Sequence, residues 1–186
     1  MKIQIHSIIP SSRVNGPGKR LVVFFQGCKR NCTGCFNPST HPTEADTTLS
    51  PEEILDSHLR DGTEGITISG GEPFLQATAL TKLLSAARKK GLSTLVYSGY
   101  TLEELKGDKE NAPALALIDV LIDGPYMKEK HERGELPRGS ANQSIHFLST
   151  RYGLSDLRLK GRSEIIIDTS GNITATGFNP ETTINI

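Results

Sequence analysis

The sequence predicts an α/β fold in which strands of a mostly parallel sheet alternate with helices. Short apolar runs alternate with helical patterns, which is the order typical of β-α units. These runs are residues 66–68, 94–97, 120–122 and 164–168. An earlier apolar run at residues 21–25 is typical of a buried parallel strand. Four or five such units are too few for a complete eight-fold barrel, so we expect a partial barrel within one domain of 186 residues.

Local signals place helices between these strands. Ser50 and Glu53 form a capping box around Pro51, which predicts a helix that extends to about Leu59. A further capping box at residues 101–104 predicts the start of another helix. Between them, a helix is predicted by an apolar stripe with the spacing i, i+3, i+4 and i+7: Leu80, Leu83, Leu84 and Ala87.

The last third of the chain has a different character. Residues 128–143 are charged and interrupted by glycine and proline, which predicts a surface loop. Turn-forming residues at 169–172 lie between two short β-like runs and predict a late β-hairpin. We therefore expect a core domain of residues 1–150 and a C-terminal extension, residues 151–186, that packs on the core and is not an independent domain.

Composition limits the possible functions and locations. The 21 basic and 21 acidic residues balance, which argues against a partner that is nucleic acid or a membrane surface. There is no apolar stretch of the roughly 20 residues that a spanning helix needs, and the amino terminus lacks the pattern of a signal peptide. Three cysteines without a secretion signal do not suggest a disulfide framework. We expect a cytoplasmic protein.

The three cysteines form a single C-x₃-C-x₂-C run: Cys28, Cys32 and Cys35. Three thiolates on one loop are able to hold three irons of a [4Fe–4S] cube, and the fourth iron then stays open to a small molecule. A structural zinc site that His41 completes as the fourth ligand is an alternative, as are three incidental buried cysteines. No second cysteine pair of the kind typical of zinc knuckles is present.

A second candidate motif, Ser69-Gly70-Gly71-Glu72-Pro73, follows the predicted strand at residues 66–68. Its glycines permit a close backbone approach or a positive φ. Free carbonyl groups at the end of a strand, with Glu72 beside them, are suited to hold an ammonium group. The alternative is an ordinary turn from strand to helix, in which a glycine pair is common.

Together the cysteine run and residues 69–73 resemble the radical S-adenosylmethionine (SAM) superfamily. Three further stretches are similar to the glycyl-radical-enzyme activases: residues 14–20, 26–28 and 35–38. Three more are similar to the activating proteins of anaerobic (class III) ribonucleotide reductases: residues 97–105, 119–125 and 138–143. The resemblance extends from about residue 3 to residue 147 and does not include the tail after residue 150.

This resemblance implies a partial (β/α)6-type radical SAM barrel with a C-terminal β-hairpin extension. It implies two cofactors, one [4Fe–4S] cluster and SAM, whose amino nitrogen and carboxylate would chelate the unique iron. The cluster ligands would be Cys28, Cys32 and Cys35. The amino group of SAM would be held by Ser69, Gly70, Gly71 and Glu72.

Other cofactor-binding residues follow from the same resemblance. Gly34 and Phe36 would lie along the adenine; many superfamily members have an aromatic residue at the position of Gly34, and the reductase-activating subgroup has it at that of Phe36. Ser98 and Asp123 would approach the ribose or the methionine carboxylate, although Asp123 has an alternative role as a helix cap or turn residue. Weaker candidates, for which a turn role is the alternative, are Asn142 and Gln143.

The implied activity is reductive cleavage of SAM to methionine and a 5′-deoxyadenosyl radical, which generates a glycyl radical on a large partner enzyme. The resemblance indicates anaerobic ribonucleotide reductase as that partner. The electron would come from a reductant such as flavodoxin or ferredoxin. No catalytic residue is needed beyond the cluster and cofactor ligands, so the five histidines need no role. The alternatives are a compact radical SAM enzyme that acts on a small molecule or peptide, and a non-catalytic metal-binding module.

Overall fold

The computed structural model describes residues 1–158, 163–167, 170–171 and 173–178, and its centre is a seven-stranded sheet. The order of the strands across the sheet is β3-β1-β2-β4-β5-β6-β7. The four strands β2, β4, β5 and β6 are parallel, whereas β1, β3 and β7 pair antiparallel with their neighbours. In chain order the strands are β1 (Ile3–Ser12), β2 (Arg20–Phe25), β3 (Thr47–Leu49), β4 (Gly65–Gly70), β5 (Ser93–Tyr97), β6 (Val120–Asp123) and β7 (Ser144–Phe147).

Helices connect the parallel strands. They are α1 (Pro51–His58), α2 (Ala77–Lys89), α3 (Leu102–Gly107) and α4 (Ala112–Leu115). Both predicted capping boxes are confirmed, because the side chains of Ser50 and Thr101 accept hydrogen bonds from the backbone N–H groups of Glu53 and Glu104. The predicted apolar stripe of α2 is confirmed as well, since all four of its members are buried in the core.

The two faces of the sheet have different coverings. Leu21, Val23 and Phe25 alternate along β2 and belong to the core that the helices cover. On the other face, Leu95, Val120 and Ile122 pack with Leu157, which follows the seven-stranded sheet in the chain. The parallel strands are therefore buried on both faces, which is usual for such strands.

Arg20 lies at the amino ends of the parallel strands, on the sheet face that also carries Leu95, and it is fully buried. Its guanidinium donates to Thr67 Oγ1 at 2.6 Å, to Ser93 Oγ at 3.0 Å and to the carbonyl oxygens of Pro17 and Ile66. Burial lowers the pKa of Arg20. This network closes the end of the sheet that is opposite the carboxyl ends of the strands.

The predicted α/β class and mostly parallel central sheet are confirmed, but the barrel character is not. Four strands are parallel instead of six, and no pairing between edge strands β3 and β7 closes the sheet among the described residues. Parallel neighbours require a long crossover, usually a helix. Residues 13–19 between β1 and β2 are too few for one, and residues 124–143 between β6 and β7 contain no α-helix. Both pairs are therefore antiparallel.

A separate two-stranded hairpin is formed by β8 (Ser163–Ile167) and β9 (Ile173–Gly177), which pair antiparallel. The predicted late hairpin is confirmed in its strands, while residues 168, 169 and 172 of its turn lie outside the described residues. The division into a core and an extension stays a prediction. No helix of the described chain is long and apolar enough to cross a bilayer.

Candidate functional site

A cavity of about 320 Å³ lies at the carboxyl ends of the parallel strands β2, β4 and β5. Ligand sites in α/β sheets typically lie at this edge, and the volume is within the range of small-molecule pockets. Of the eleven site residues that the sequence predicts, Gly34 and Asp123 do not line the cavity. The other nine do: Cys28, Cys32, Cys35, Phe36, Ser69, Gly70, Gly71, Glu72 and Ser98.

The glycine pair brings the end of β4 against the segment that leads into the cysteine loop. Gly71 N donates to Phe25 O at 2.8 Å, and Glu72 N donates to Gly27 O at 2.9 Å. A Cβ on Gly71 would lie 2.2 Å from Gly27 O, and a Cβ on Gly70 would lie 2.4 Å from Phe25 N. The close backbone approach that the sequence predicts is therefore present, and it joins Glu72 to the loop that carries Cys28.

The cysteine loop is held at its start by backbone hydrogen bonds. Gly27 N donates to Thr40 O at 2.8 Å, and Cys28 N donates to His41 O at 3.1 Å. All three thiols are free and partly buried. Burial raises the pKa of Cys28 and of Cys35. Because the thiolate is the metal ligand, metal uptake at this loop must release protons.

The zinc alternative needs a fourth ligand beside the three thiols, which would be His41. Within the part of the chain that is described, no group of three or more histidine, cysteine, aspartate or glutamate side chains has an arrangement that would hold a single metal ion. His41 lines the cavity, and its main-chain oxygen accepts a hydrogen bond from Cys28 N. The three thiols of a [4Fe–4S] site each bind a different iron and need not converge on one point.

Glu72 is held tightly in the wall of the cavity, with 1% of its surface exposed. Its Oε1 accepts from Phe74 N at 3.1 Å and from Ser98 Oγ at 3.0 Å, and its Oε2 accepts from Gly99 N at 2.8 Å. An ionised carboxylate has about four acceptor positions, so one is left for a ligand. Burial raises the pKa of Glu72 to about 6, although the hydrogen bonds and Arg30 oppose that shift.

The raised pKa of Glu72 predicts a pH-dependent stability. Between its ordinary value of 4.5 and about 6, the folded protein holds a proton that the unfolded chain releases. The stabilisation from this proton is therefore complete below pH 4.5 and is lost as the pH rises through about 6. From pH 4.5 to pH 7, we expect the unfolding free energy of Glu72→Gln to rise by about 2 kcal/mol relative to the wild type. Denaturant titration of both metal-free proteins measures this; a difference that is constant with pH contradicts the raised pKa.

Ser98 and Asp123 have different surroundings, although both follow parallel strands. Ser98 lines the cavity, and its hydroxyl orients Glu72 while it accepts from Tyr100 N at 3.1 Å. Asp123 Oδ2 accepts from the backbone N–H of Leu102 at the start of α3 and lies 3.0 Å from His146 Nε2. The structure therefore places Asp123 as the helix cap that was its alternative role. A cofactor contact by Ser98 stays a prediction.

Phe36 forms an aromatic rim of the cavity with 38% of its surface exposed. Its ring centroid lies 4.7 Å from that of Tyr126 and 5.7 Å from that of His131. Gly34 has a φ of 68° and lies against Lys128, because an added Cβ would be 2.7 Å from Lys128 Cδ. Its side of the loop thus faces the charged segment after β6 and not the cavity.

The two weaker candidates organise the segment between β6 and β7. Gln143 Oε1 accepts from Gly139 N and Ser140 N, and its Nε2 donates to Gly124 O. Asn142 Nδ2 donates to Pro125 O at 2.8 Å. Gln143 also lines the cavity. Gln143 therefore has the turn role that was its alternative, whereas Asn142 ties its loop to Pro125, and a ligand contact by Gln143 stays a prediction.

The sequence reasoning missed several contributors to the cavity, among them Arg30 and the hairpin. Arg30 lines it, with its guanidinium carbon 4.7 Å from the centre of the Tyr100 ring. The hairpin also reaches it through residues 175–178. Arg30 lies between two of the cysteines, and that position is the only sequence signal that points to it. The hairpin contact is long-range, and no local pattern predicts it.

Comparisons with known proteins agree with this site. Residues 14–146 match the family model described as a 4Fe-4S single cluster domain, which together with the cysteine loop defines an iron–sulfur protein. The anaerobic ribonucleoside-triphosphate reductase-activating protein of Vibrio cholerae is 36% identical over 150 residues, which cover 76% of this chain and 96% of that protein. The protein of the same name from Escherichia coli (strain K12) is 33% identical, and the match covers 77% of this chain and 97% of that protein. The one from Enterobacteria phage T4 is 34% identical, and the match covers 74% of this chain and 90% of that protein.

The chain therefore belongs to the family of anaerobic ribonucleoside-triphosphate reductase-activating proteins. This confirms the resemblance that the sequence motifs predicted. Among solved structures, QueE from Escherichia coli aligns with a TM-score of 0.47 and 21% identity over 54% of each chain.

Proposed function

We propose that this chain is a radical SAM activase that generates a glycyl radical on an anaerobic ribonucleoside-triphosphate reductase. One observation carries the proposal: the three cysteines and Glu72 line a single cavity at the carboxyl ends of parallel strands. Membership in the family of reductase-activating proteins supports the choice of partner.

The residues present fit a [4Fe–4S] cluster with one open iron. The chain has three cysteines, all of them free, partly buried and facing the same cavity. When bound, the cluster and SAM would supply one-electron cleavage of the sulfonium and a 5′-deoxyadenosyl radical that abstracts hydrogen. A small electron-transfer protein such as flavodoxin or ferredoxin would provide the electron.

The residues around Glu72 fit the amino-acid end of SAM. The remaining acceptor position of Glu72 suits an ammonium group, and three fixed donors hold the carboxylate in place before the ligand arrives. Arg30, on the same cavity wall, offers a cation for the ligand carboxylate. Phe36 and Tyr126 offer ring faces for the adenine.

The protein needs no general acid or base for hydrogen abstraction. Its task is to hold the reacting carbon within contact distance of one hydrogen and to exclude water from the site. The rim residue Phe36 is exposed in the isolated chain. In this proposal the reductase closes the cavity when it inserts the segment that carries its glycine.

Glu72→Gln tests the SAM site separately from the cluster. We expect the Kd for SAM to rise about 10- to 100-fold, because the variant loses a charge-assisted hydrogen bond of about 1.5–3 kcal/mol. Iron and sulfide per chain should stay at the wild-type value. Anaerobic equilibrium dialysis with labelled SAM and metal analysis of the reconstituted protein provide both numbers.

The matched control is Glu103→Gln, which removes the same charge from an exposed position in α3. It should leave the Kd for SAM unchanged within twofold. Equal affinities of Glu72→Gln and wild type would contradict the assignment of the amino-group site.

The activase function itself is tested by electron paramagnetic resonance of the reduced protein mixed with SAM and the reductase. A glycyl doublet is expected, and its absence with an intact cluster would overturn the proposal.

A further inference from the structure

The hairpin of β8 and β9 has one face attached to the core, whereas its opposite face lines the cavity at one end and is exposed at the other. On the attached face, Glu164 Oε1 accepts from Arg13 N at 2.9 Å, and Thr176 Oγ1 accepts from Asn15 Nδ2 at 2.9 Å. Next to β9, the ring of Phe178 lies 6.0 Å from that of Tyr97. Because a two-stranded hairpin is only marginally stable alone, these contacts fix its orientation on the core.

The opposite face is apolar and exposed. Side chains alternate along a strand, so this face carries the three cross-strand pairs Ser163–Gly177, Ile165–Ala175 and Ile167–Ile173. Its isoleucines Ile165, Ile167 and Ile173 are 53%, 66% and 40% exposed. The one charged residue within these two strands, Glu164, lies on the attached face. Exposed apolar patches of this kind are typical of interaction sites.

This apolar face is continuous with the candidate active site. Ser163, Ala175 and Gly177 belong to it and also line the cavity that contains the cysteines. From the Ser163–Gly177 pair to the Ile167–Ile173 pair, the face extends outward by about 13 Å at roughly 3.3 Å per residue. A polypeptide that enters the cavity from this side must pass over the isoleucines.

We propose that the apolar face of the hairpin is the docking surface for the reductase, next to the segment that carries the target glycine. This inference rests on the proposed function, because the macromolecule that must enter the cavity is the substrate protein. The surface that it fits is apolar and uncharged. The family match ends at residue 146, so the hairpin lies beyond the matched region, where it adds area at the mouth of the site.

The test replaces Ile165, Ile167 and Ile173 by threonine, which keeps the branched β-carbon that strands favour and removes apolar area. The ligand is the anaerobic ribonucleoside-triphosphate reductase of the same organism, and binding is measured by anaerobic interferometry. We expect the Kd to rise at least tenfold. Leu154→Thr, a similarly exposed apolar residue outside the hairpin, is the control and should change it less than twofold.

Two further measurements separate this inference from the proposed function. Iron content and the slow SAM cleavage without reductase should be unchanged in the triple variant; if the wild type itself does not cleave SAM, the proposed function fails while the binding result still tests the surface. An unchanged Kd in the triple variant overturns the docking surface. The inference is also overturned if the wild type is a dimer, the triple variant is a monomer and the Kd for the reductase is the same for both. The apolar face would then join two copies of this chain.

A photo-crosslinker provides a readout that does not depend on the stability of the triple variant. Placed at Ile167, a benzoylphenylalanine residue should capture the reductase. Placed at Thr174, on the attached face, it should not. Capture of only a second copy of this chain at Ile167, or equal capture of the reductase from both positions, would contradict the inference.

Discussion

Replacement of Cys28, Cys32 or Cys35 by alanine, one at a time, is expected to abolish both the cluster and the activity. The chain contains three cysteines, so no spare thiolate is available to replace a lost ligand. After anaerobic reconstitution, the wild type should hold about four irons and four sulfides per chain, and each variant less than one. Formation of 5′-deoxyadenosine should fall at least about 10³-fold, which corresponds to about 4 kcal/mol of lost transition-state stabilisation.

His41→Ala is the control for this series. His41 lines the cavity and is the residue that would complete a Cys₃His zinc site. In the iron–sulfur assignment, His41→Ala keeps its four irons. Stoichiometric zinc in the wild type, together with its loss in His41→Ala, would contradict that assignment and favour the structural zinc site.

Much of the site could be predicted because parallel strands end at the same edge of a sheet. Cys28 and Glu72 are far apart in sequence, but one follows β2 and the other follows β4, which are neighbours in the sheet. The glycine pair between strand and acid indicated a close backbone approach, and Gly71 lies against Gly27 as that pattern predicts. Here the local signals and the sheet geometry point to the same place.

Asp123 also ends a parallel strand, but it does not line the cavity. It ends β6 as predicted, but alternation along the strand puts its side chain on the same face as Leu121, which packs in the core covered by the helices. All four residues of β6 are buried, so the sequence pattern does not distinguish one face of the strand from the other. A cofactor role for Asp123 stays a prediction.

The barrel and the hairpin depended on contacts between distant segments. The periodicity that predicted strands carries no information on direction, and the absence of helices in residues 124–143 was the available sign that β7 would be antiparallel. The strands of the hairpin were predictable from alternation and turn residues. Its contact with the cavity depends on partners such as Asn15 and Thr176, which are too far apart in sequence for a local pattern to connect.

Gly71→Ala is expected to destabilise the protein by about 3–5 kcal/mol, because the added Cβ would lie 2.2 Å from Gly27 O and 2.7 Å from Gly27 C. Both contacts are with backbone atoms, so no side-chain rotation relieves them. The turn must separate from the cysteine loop, which breaks the hydrogen bonds from Gly71 N to Phe25 O and from Glu72 N to Gly27 O. Each buried group left unpaired costs about 1–3 kcal/mol.

The measurement is thermal unfolding of the metal-free protein, followed by cluster reconstitution. At roughly 2–4 °C per kcal/mol for a chain of this size, Gly71→Ala should lower Tm by about 6–20 °C. Its cluster content should fall as well, because the displaced turn no longer supports the segment before Cys28. Gly107→Ala is the control: nothing lies within 4 Å of its added Cβ, and alanine favours the helix that it ends. A Gly71→Ala variant that melts within about 2 °C of the wild type and takes up a full cluster would contradict this prediction. Gly71 would then serve only an ordinary turn and would not couple Glu72 to the cysteine loop.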